Sequence, residues 1–371
     1  MKKKFLIEIC RYLTGAVFVF SGFVKGVDPL GTTYKIEDYF VVYGTEWANG
    51  LALSLSIILC ATEFSIGLAL LTKVKMKITA WLLMLMLVFF TGITFYDALF
   101  SLVPDCGCFG NAITLTNWET FFKNLVLIAF AFVVFRYRNE YRNELRPTSQ
   151  IALFTMYFAG FIMFSIYNIR HLPMIDFTVW KNGTEVLSAK VSEDQVFVTY
   201  SNISTGEEKE FLSPNYPWND SLWMREWKFK NQRVVTTGNN KDFGLLIEDE
   251  SGNDLTHDLL SSEKMWLITI PDIQGVGKVQ IEVLLEWINQ IETSGGQTAI
   301  VSGSLPEEIQ ILHEVEESVP EVFYADATVL KTMVRSNPGI VLFDHGKLIC
   351  KWHFNDLPEK QEIIMLQSKL P

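Results

Sequence analysis

The chain has 371 residues, a formal net charge of −11, 49% hydrophobic residues and 20% charged ones. That acidic balance excludes the basic footprint of a nucleic-acid binder, and five cysteines over this length exclude a disulfide-stapled small fold. The length suits two or three domains, and the composition divides near Ile169: apolar and poor in acids before it, acidic and rich in tryptophan after it.

Met1-Lys2-Lys3-Lys4 opens onto an apolar run over residues 5–24. The run is too long for a secretory-signal core and lacks a small-x-small cleavage site, so it reads as a retained first membrane span. Glu8 and Arg11, three apart near its start, are expected to pair on one helix face as an anchor at the headgroups. Four more spans follow at 51–71, 78–102, 121–135 and 151–169, the fourth starting near Trp118, whose ring suits the interface. With five spans, Lys2 to Lys4, then Lys73, Lys75 and Lys77, then Arg136, Arg138, Arg142 and Arg146 all fall on one side. The opposite loops carry little beyond Lys25, Lys35 and Arg170. This bias predicts an inner-membrane protein with a cytoplasmic N-terminus, its 25–50 loop and everything after Ile169 extracytoplasmic.

Between the third and fourth spans lies Pro104-Asp105-Cys106-Gly107-Cys108-Phe109-Gly110. On the outer face it meets an oxidising compartment, where disulfides form and persist. Gly107 permits the sharp turn that a ring closed by Cys106 and Cys108 requires, and strained exposed disulfides are the exchange-prone ones. Three readings of the pair stay open: reversible thiol exchange, a soft-metal site such as Cu(I), and a structural disulfide. No histidine or methionine beside the pair completes a fuller ligand set, and no metal centre is predicted. Two carboxylates within spans accompany it. Glu63, in mid-span, suits a proton acceptor for thiol chemistry, a contact to a quinone head group, or a structural bond between helices. Asp97 lies near the outer end of its span, about two turns from the loop, where solvation at the interface explains it, with influence on the thiols as the alternative. Cys10 and Cys60 read as small buried hydrophobes.

Arg11-Tyr-Leu-Thr-Gly-Ala-Val-Phe-Val-Phe-Ser-Gly-Phe-Val-Lys25, continuing into Asp28-Pro29, resembles the opening of DoxX-like and MauE-like membrane proteins. Cys106-Gly-Cys-Phe-Gly110 after the third span is similar to the motif of the methylamine-utilisation MauE family. The resemblance covers roughly residues 5–137. It implies a four-helix unit comparable to vitamin K epoxide reductase-like bundles, and a role in maturation or disulfide formation of exported proteins. Two departures are a fifth span with a large external region, and the lack of anything pointing to methylamine dehydrogenase as client.

Beyond the tether 168–176, residues 179–237 read as strands and turns: Gln195-Val-Phe-Val-Thr-Tyr200 alternates, Thr205-Gly206 turns, and Glu210-Phe-Leu pairs back. Trp218, Trp223 and Trp227 are expected to pack this small β module. From Phe243 strands and helices alternate: a strand and turn over 243–253, strands at 265–270 and 298–302, helices at 279–292 and 306–315, and a terminal hairpin of 339–343 and 347–352. The order resembles a thioredoxin-like domain of about 130 residues, with Asn337-Pro338 where that family places its cis-proline. Its Cys-x-x-Cys position holds Pro271-Asp-Ile-Gln-Gly-Val-Gly277, without a thiol, and Cys350 in the hairpin reads as buried. The domain therefore reads as a redox-inactive platform for a partner or client.

The expected architecture is an α-helical membrane bundle (four-helix unit 1–147, fifth helix 148–170), a β-rich segment 171–240 and an α/β thioredoxin-like domain 241–371. The expected function is disulfide handling for exported or periplasmic clients at the bilayer, with Cys106 and Cys108 passing electrons to or from a quinone. The alternatives are an assembly subunit of a membrane complex and a Cu(I)-handling protein.

Overall fold

The computed structural model describes residues 2–100, 103, 107–187, 195–202, 207–212, 217, 223–235, 243–315 and 319–369. Five of its helices are long and apolar enough to cross a membrane, and the chain is a multi-pass membrane protein. These are α1 (Lys2–Val27), α3 (Ala52–Thr72), α4 (Met76–Phe100), α5 (Asn117–Arg136) and α6 (Pro147–Arg170), and each overlaps one of the five apolar runs. Without water to satisfy the backbone, such runs must close their hydrogen bonds internally.

Helices α1 and α3 make the closest packing. A Cβ added to Gly22 would lie 2.8 Å from the Phe64 backbone nitrogen, and one on Gly67 would lie 2.6 Å from that of Val19. Small residues let membrane helices approach this closely, and van der Waals contact then holds them. Phe18, Ile66, Leu70, Leu83 and Leu127 form the core where α1, α3, α4 and α5 meet. Helix α6 joins through Phe161, whose ring lies 4.6 Å from that of Phe64.

Two expectations in this half are corrected. Arg11 is no headgroup anchor: it is fully buried, pairs with Glu8 at 2.6 Å, and donates to the carbonyl oxygens of Leu70 and, at 2.9 Å, Leu71. Its charge thus meets the negative end of α3, where backbone carbonyls lack helical partners. Residues 25–50 are not a loop. Lys25 lies in the last turn of α1, and a further helix, α2 (Pro29–Val42), follows at once. Asp28 caps α2 by accepting the Gly31 N–H at 2.9 Å, and Pro29 takes the first turn, where a missing N–H costs nothing.

The tether after α6 does not lead into the small β module as expected. Trp180 is buried in the core of the α/β unit with Val186 and Leu187 against it, and Val186 N donates to Gly346 O at 2.7 Å. The β module has three antiparallel strands, β1 (Gln195–Asn202), β2 (Glu208–Leu212) and β3 (Trp227–Val235), in the order β2-β1-β3. The turn α7 (Trp223–Glu226) precedes β3, and the rings of Trp223 and Trp227 stack at 5.8 Å. Trp218 and the Thr205-Gly206 turn lie outside the described residues.

In the α/β unit, α8 (Thr256–Ser261), β4 (Met265–Ile270), α9 (Lys278–Thr293), β5 (Gln297–Ser302), α10 (Pro306–Val315), β6 (Val322–Tyr324), α11 (Ala327–Met333), β7 (Gly339–Asp344), β8 (Lys347–His353) and α12 (Lys360–Lys369) follow in order. The sheet order is β6-β5-β4-β7-β8; β4, β5 and β6 are parallel, and β7 is antiparallel to β4 and β8. Every residue of β4 is buried, because alternate side chains enter two cores. Trp266, Ile268 and Ile270 pack with Ile281 and Leu284 of α9, while Met265 and Leu267 pack with Leu330 and Met333 of α11. His345 and Gly346 both have positive φ, 48° and 80°, as the two-residue hairpin between β7 and β8 requires. The Asn337–Pro338 peptide is cis. Residues 243–247 form no strand; only Glu248 bridges to Tyr324 and Asp254. Cys350 is half-buried rather than buried.

The end of α6 is fastened to the turn after β8. Asn355 Nδ2 donates to the Arg170 carbonyl at 2.8 Å, and His171 Nδ1 lies 2.7 Å from Asp356 Oδ1.

Candidate functional site

Cys106 lies outside the described residues, with Pro104 and Asp105. From Gly107 onward the cysteine loop is a tight turn. Gly107 and Gly110 have φ of 62° and 52°, a region that favours glycine, and Gly110 N donates to Gly107 O at 2.9 Å.

The loop is seated along one face of α1 and its extension. Ser21 Oγ donates to the Cys108 carbonyl at 2.7 Å. A Cβ on Gly110 would lie 3.5 Å from Val24 Cγ1 and 3.9 Å from Lys25 Cγ. Asn111 Nδ2 reaches Asp28 Oδ2 at 3.4 Å. Ser21, Val24, Lys25 and Asp28 recur at three- and four-residue steps, so one helical stripe carries all four contacts. From the other sides, the Phe109 ring meets Phe20 at 5.6 Å and the Lys123 ammonium at 4.4 Å.

Beneath the loop a cavity of about 490 Å³ opens between the helices. Its walls are chiefly apolar, with Phe18, Leu59, Phe90 and Leu127 among them, and Cys108, Lys25 and Glu63 also line it. The size and the few convergent polar groups are those of a small-molecule site. Lys25 and Glu63 form an ion pair across α1 and α3, both almost fully buried. Such a pair persists in an apolar setting because removing either partner strands a charge.

Asp97 does not share the cavity wall. It is fully buried, not solvated at an interface, and accepts the Tyr39 hydroxyl proton at 2.6 Å. Tyr39 itself does line the cavity. The structure thus brings Cys108 and Glu63 together and leaves Asp97 one residue behind them. Cys60, fully buried, lies three residues before Glu63 on α3. Among the described residues, no group of three or more His, Cys, Asp or Glu side chains converges as a metal site would require.

Asp28 extends the site to the α/β unit. Its carboxylate receives Arg335 Nε at 3.0 Å and Nη2 at 2.9 Å; Arg335 precedes the cis peptide by two residues. The segment after β4 is itself tied to the residue before Pro338: Asn337 Nδ2 donates to Asp272 O at 2.6 Å. Sequence reading missed Lys25, Asp28 and Arg335. The spacing of Ser21, Lys25 and Asp28 at the end of an apolar run is a signal for the first two. Nothing local marks Arg335.

Residues 3–136 match the family model described as methylamine utilisation protein MauE. This region, α1 to α5 with the cysteine loop, is therefore similar to that family. No curated protein and no solved structure matches the chain.

Proposed function

We propose that this protein handles disulfides of exported proteins, with Cys106 and Cys108 exchanging with client thiols and a lipid-soluble carrier in the α1–α5 cavity. One observation carries the reading: Cys108 lines an apolar cavity of about 490 Å³ inside a membrane bundle, beside a buried ion pair. A thiol so placed can meet a hydrophobic carrier below and a client above.

A quinone is the carrier class these walls suit. Bound there, it would supply the chemistry of accepting two electrons and two protons as it becomes a hydroquinone. The chain's own residues hold the Cys108 turn on α1, shape the apolar walls, and place the Lys25–Glu63 charges at the wall where protons must move. In the exchange step, a client thiolate attacks one sulfur of the Cys106–Cys108 bond. The electron pair of that bond leaves on the other sulfur. A second client thiol then completes the client disulfide and leaves a dithiol; the reverse sequence reduces a client.

The Lys/Arg bias supports an inner-membrane orientation with the cysteine loop extracytoplasmic. The α/β unit is read as thioredoxin-like, on its strand order. Without a Cys-x-x-Cys it acts as a platform over the loop, held by Arg335.

The test is trapping. In a Cys108→Ala variant the Cys106 thiolate should attack client disulfides and, with no Cys108 to resolve them, accumulate mixed disulfides, seen as reducible adducts on non-reducing electrophoresis. Their absence, with wild-type levels of protein in the membrane, overturns the reading.

A further inference from the structure

Lys25 is a charged residue in the last turn of a membrane helix, only 6% exposed. Its ion pair with Glu63 explains how the charge is tolerated, but not why the pair lines the cavity that Cys108 lines. Among the described residues, the ionisable groups around the cysteine loop and its cavity are Lys25 and Asp28, Glu63 and Cys60 of α3, Lys35 and Tyr39 of α2 with Tyr43 just after it, and Lys123 of α5. Asp28 is engaged by Arg335, and Lys123 stands over the Phe109 ring. Lys35 packs its stem against Gly107 and is only partly buried, so water screens its charge more than that of Lys25. Lys25 lines the same cavity as Cys108, and its stem runs beside Gly110 of the same turn.

We propose that Lys25 is the counter-ion of the Cys108 thiolate, with Glu63 setting how much of the ammonium charge reaches the sulfur. The proposal rests on the thiol-exchange reading and assigns the two sulfurs different tasks. When a client thiolate attacks Cys106 Sγ, the Cys106–Cys108 bond breaks and its electron pair stays on Cys108 Sγ. The negative charge has then moved from the client to Cys108, with no proton taken up or lost. A low-dielectric cavity would oppose that charge; the adjacent ammonium stabilises it, which makes Cys108 the better leaving group. The same thiolate is the nucleophile that re-forms the bond and releases the client. Lys25 needs no change of its own protonation in either direction.

The experiment reads Cys108 alone. In full-length Cys106→Ser protein in membranes, alkylation of Cys108 by iodoacetamide is followed against pH by peptide mass spectrometry. Lys25→Met should raise the pH of half-maximal reactivity by about one unit or more, and slow the reaction at neutral pH by about tenfold. Lys25→Arg should restore the profile, and Glu63→Gln should shift it the opposite way. Lys25→Met leaves Glu63 unpaired and threatens folding, so the neutral double variant Lys25→Met/Glu63→Leu should still shift the profile upward, by less than Lys25→Met alone. Lys35→Met and Lys123→Met should each move the profile less than Lys25→Met. An unchanged profile in the double variant, or a larger shift from Lys35 or Lys123, overturns the proposal. Alkylation needs no client, so this result is separate from the trapping experiment. Mixed disulfides with a flat Lys25 response would overturn this inference alone.

Discussion

Arg335 and Asp28, 307 residues apart in sequence, form a bidentate ion pair in which both side chains are more than nine-tenths buried. Asp28 also caps α2 and accepts from Asn111 of the cysteine loop, while Arg335 donates to the Lys331 carbonyl and lies 5.4 Å from the Tyr34 ring. Burial raises the Tyr34 phenol to about 12, so that ring stays neutral beneath the cation. One carboxylate thus joins the cysteine loop, the helix that borders the cavity, and the edge of the α/β unit that carries the cis peptide.

Removing either partner leaves the other as an unpaired buried charge, a loss of about 3–5 kcal/mol. Arg335→Met should therefore lower the thermal stability of the full-length protein sharply. Asp28→Asn, which keeps the helix cap, should do the same. The double variant should lose less than the sum, and strict additivity in that cycle would show that the pair is not coupled.

The α1–α3 contact predicts a contrast between two glycines. Gly22→Ala places its methyl group 2.8 Å from Phe64 Cβ and backbone nitrogen, and the helices must separate at a cost of about 1–3 kcal/mol. Gly92→Ala meets nothing within 4 Å and improves helix propensity. Melting temperatures in one detergent should fall for the first and hold or rise for the second.

His353 predicts a pH dependence. It is 8% exposed, its Nδ1 accepts the Asn355 N–H at 3.0 Å, and it interacts with the Ile169 backbone, Asp356 and His171. Burial holds its pKa below the ordinary 6.5, helped by His171 and opposed by Asp356 and the bond to Ile169. The unfolded chain therefore binds this proton at a higher pH than the folded one does. The stabilisation from neutral His353 is fully present above about pH 6.5 and is lost as pH falls below it. Thermal stability should decline from pH 7 to pH 5, and His353→Gln, which keeps an acceptor without titrating, should flatten the decline.

A quinone that occupies the cavity must stabilise the folded state by mass action, about 2.7 kcal/mol at a hundred times its dissociation constant. Addition of a short-chain ubiquinone should raise the melting temperature of the wild type. Ile93→Trp, which fills the cavity from α4, should abolish that rise. An equal rise in both proteins would place the ligand elsewhere.

The spans were legible in the sequence because an apolar run of about 20 residues has few other uses. Strands β4, β5, β7 and β8 were equally plain, since their runs are short, β-branched and bounded by turns. Helix α2 was missed although Asp28-Pro29 is a regular helix start, because Tyr34, Lys35 and Glu37 break up its apolar face. Arg11 was read as a headgroup anchor paired with Glu8, and Lys25 as a loop residue; the Glu8 pair is present, but the contacts that bury the two cations are to Leu70, 59 residues on, and Glu63, 38 residues on. The cysteine motif announced itself, but its cavity depends on five helices whose packing no local spacing reveals. Residues 243–247 carry strand-forming side chains, yet only Glu248 finds an edge to pair with.

The most direct measurement is the redox midpoint of the Cys106–Cys108 pair, titrated in the full-length protein in its membranes and read by mass-tagging of the two thiols. An exchange-active pair should titrate well above about −300 mV. A pair still oxidised below about −300 mV would be a structural bond and would contradict the account.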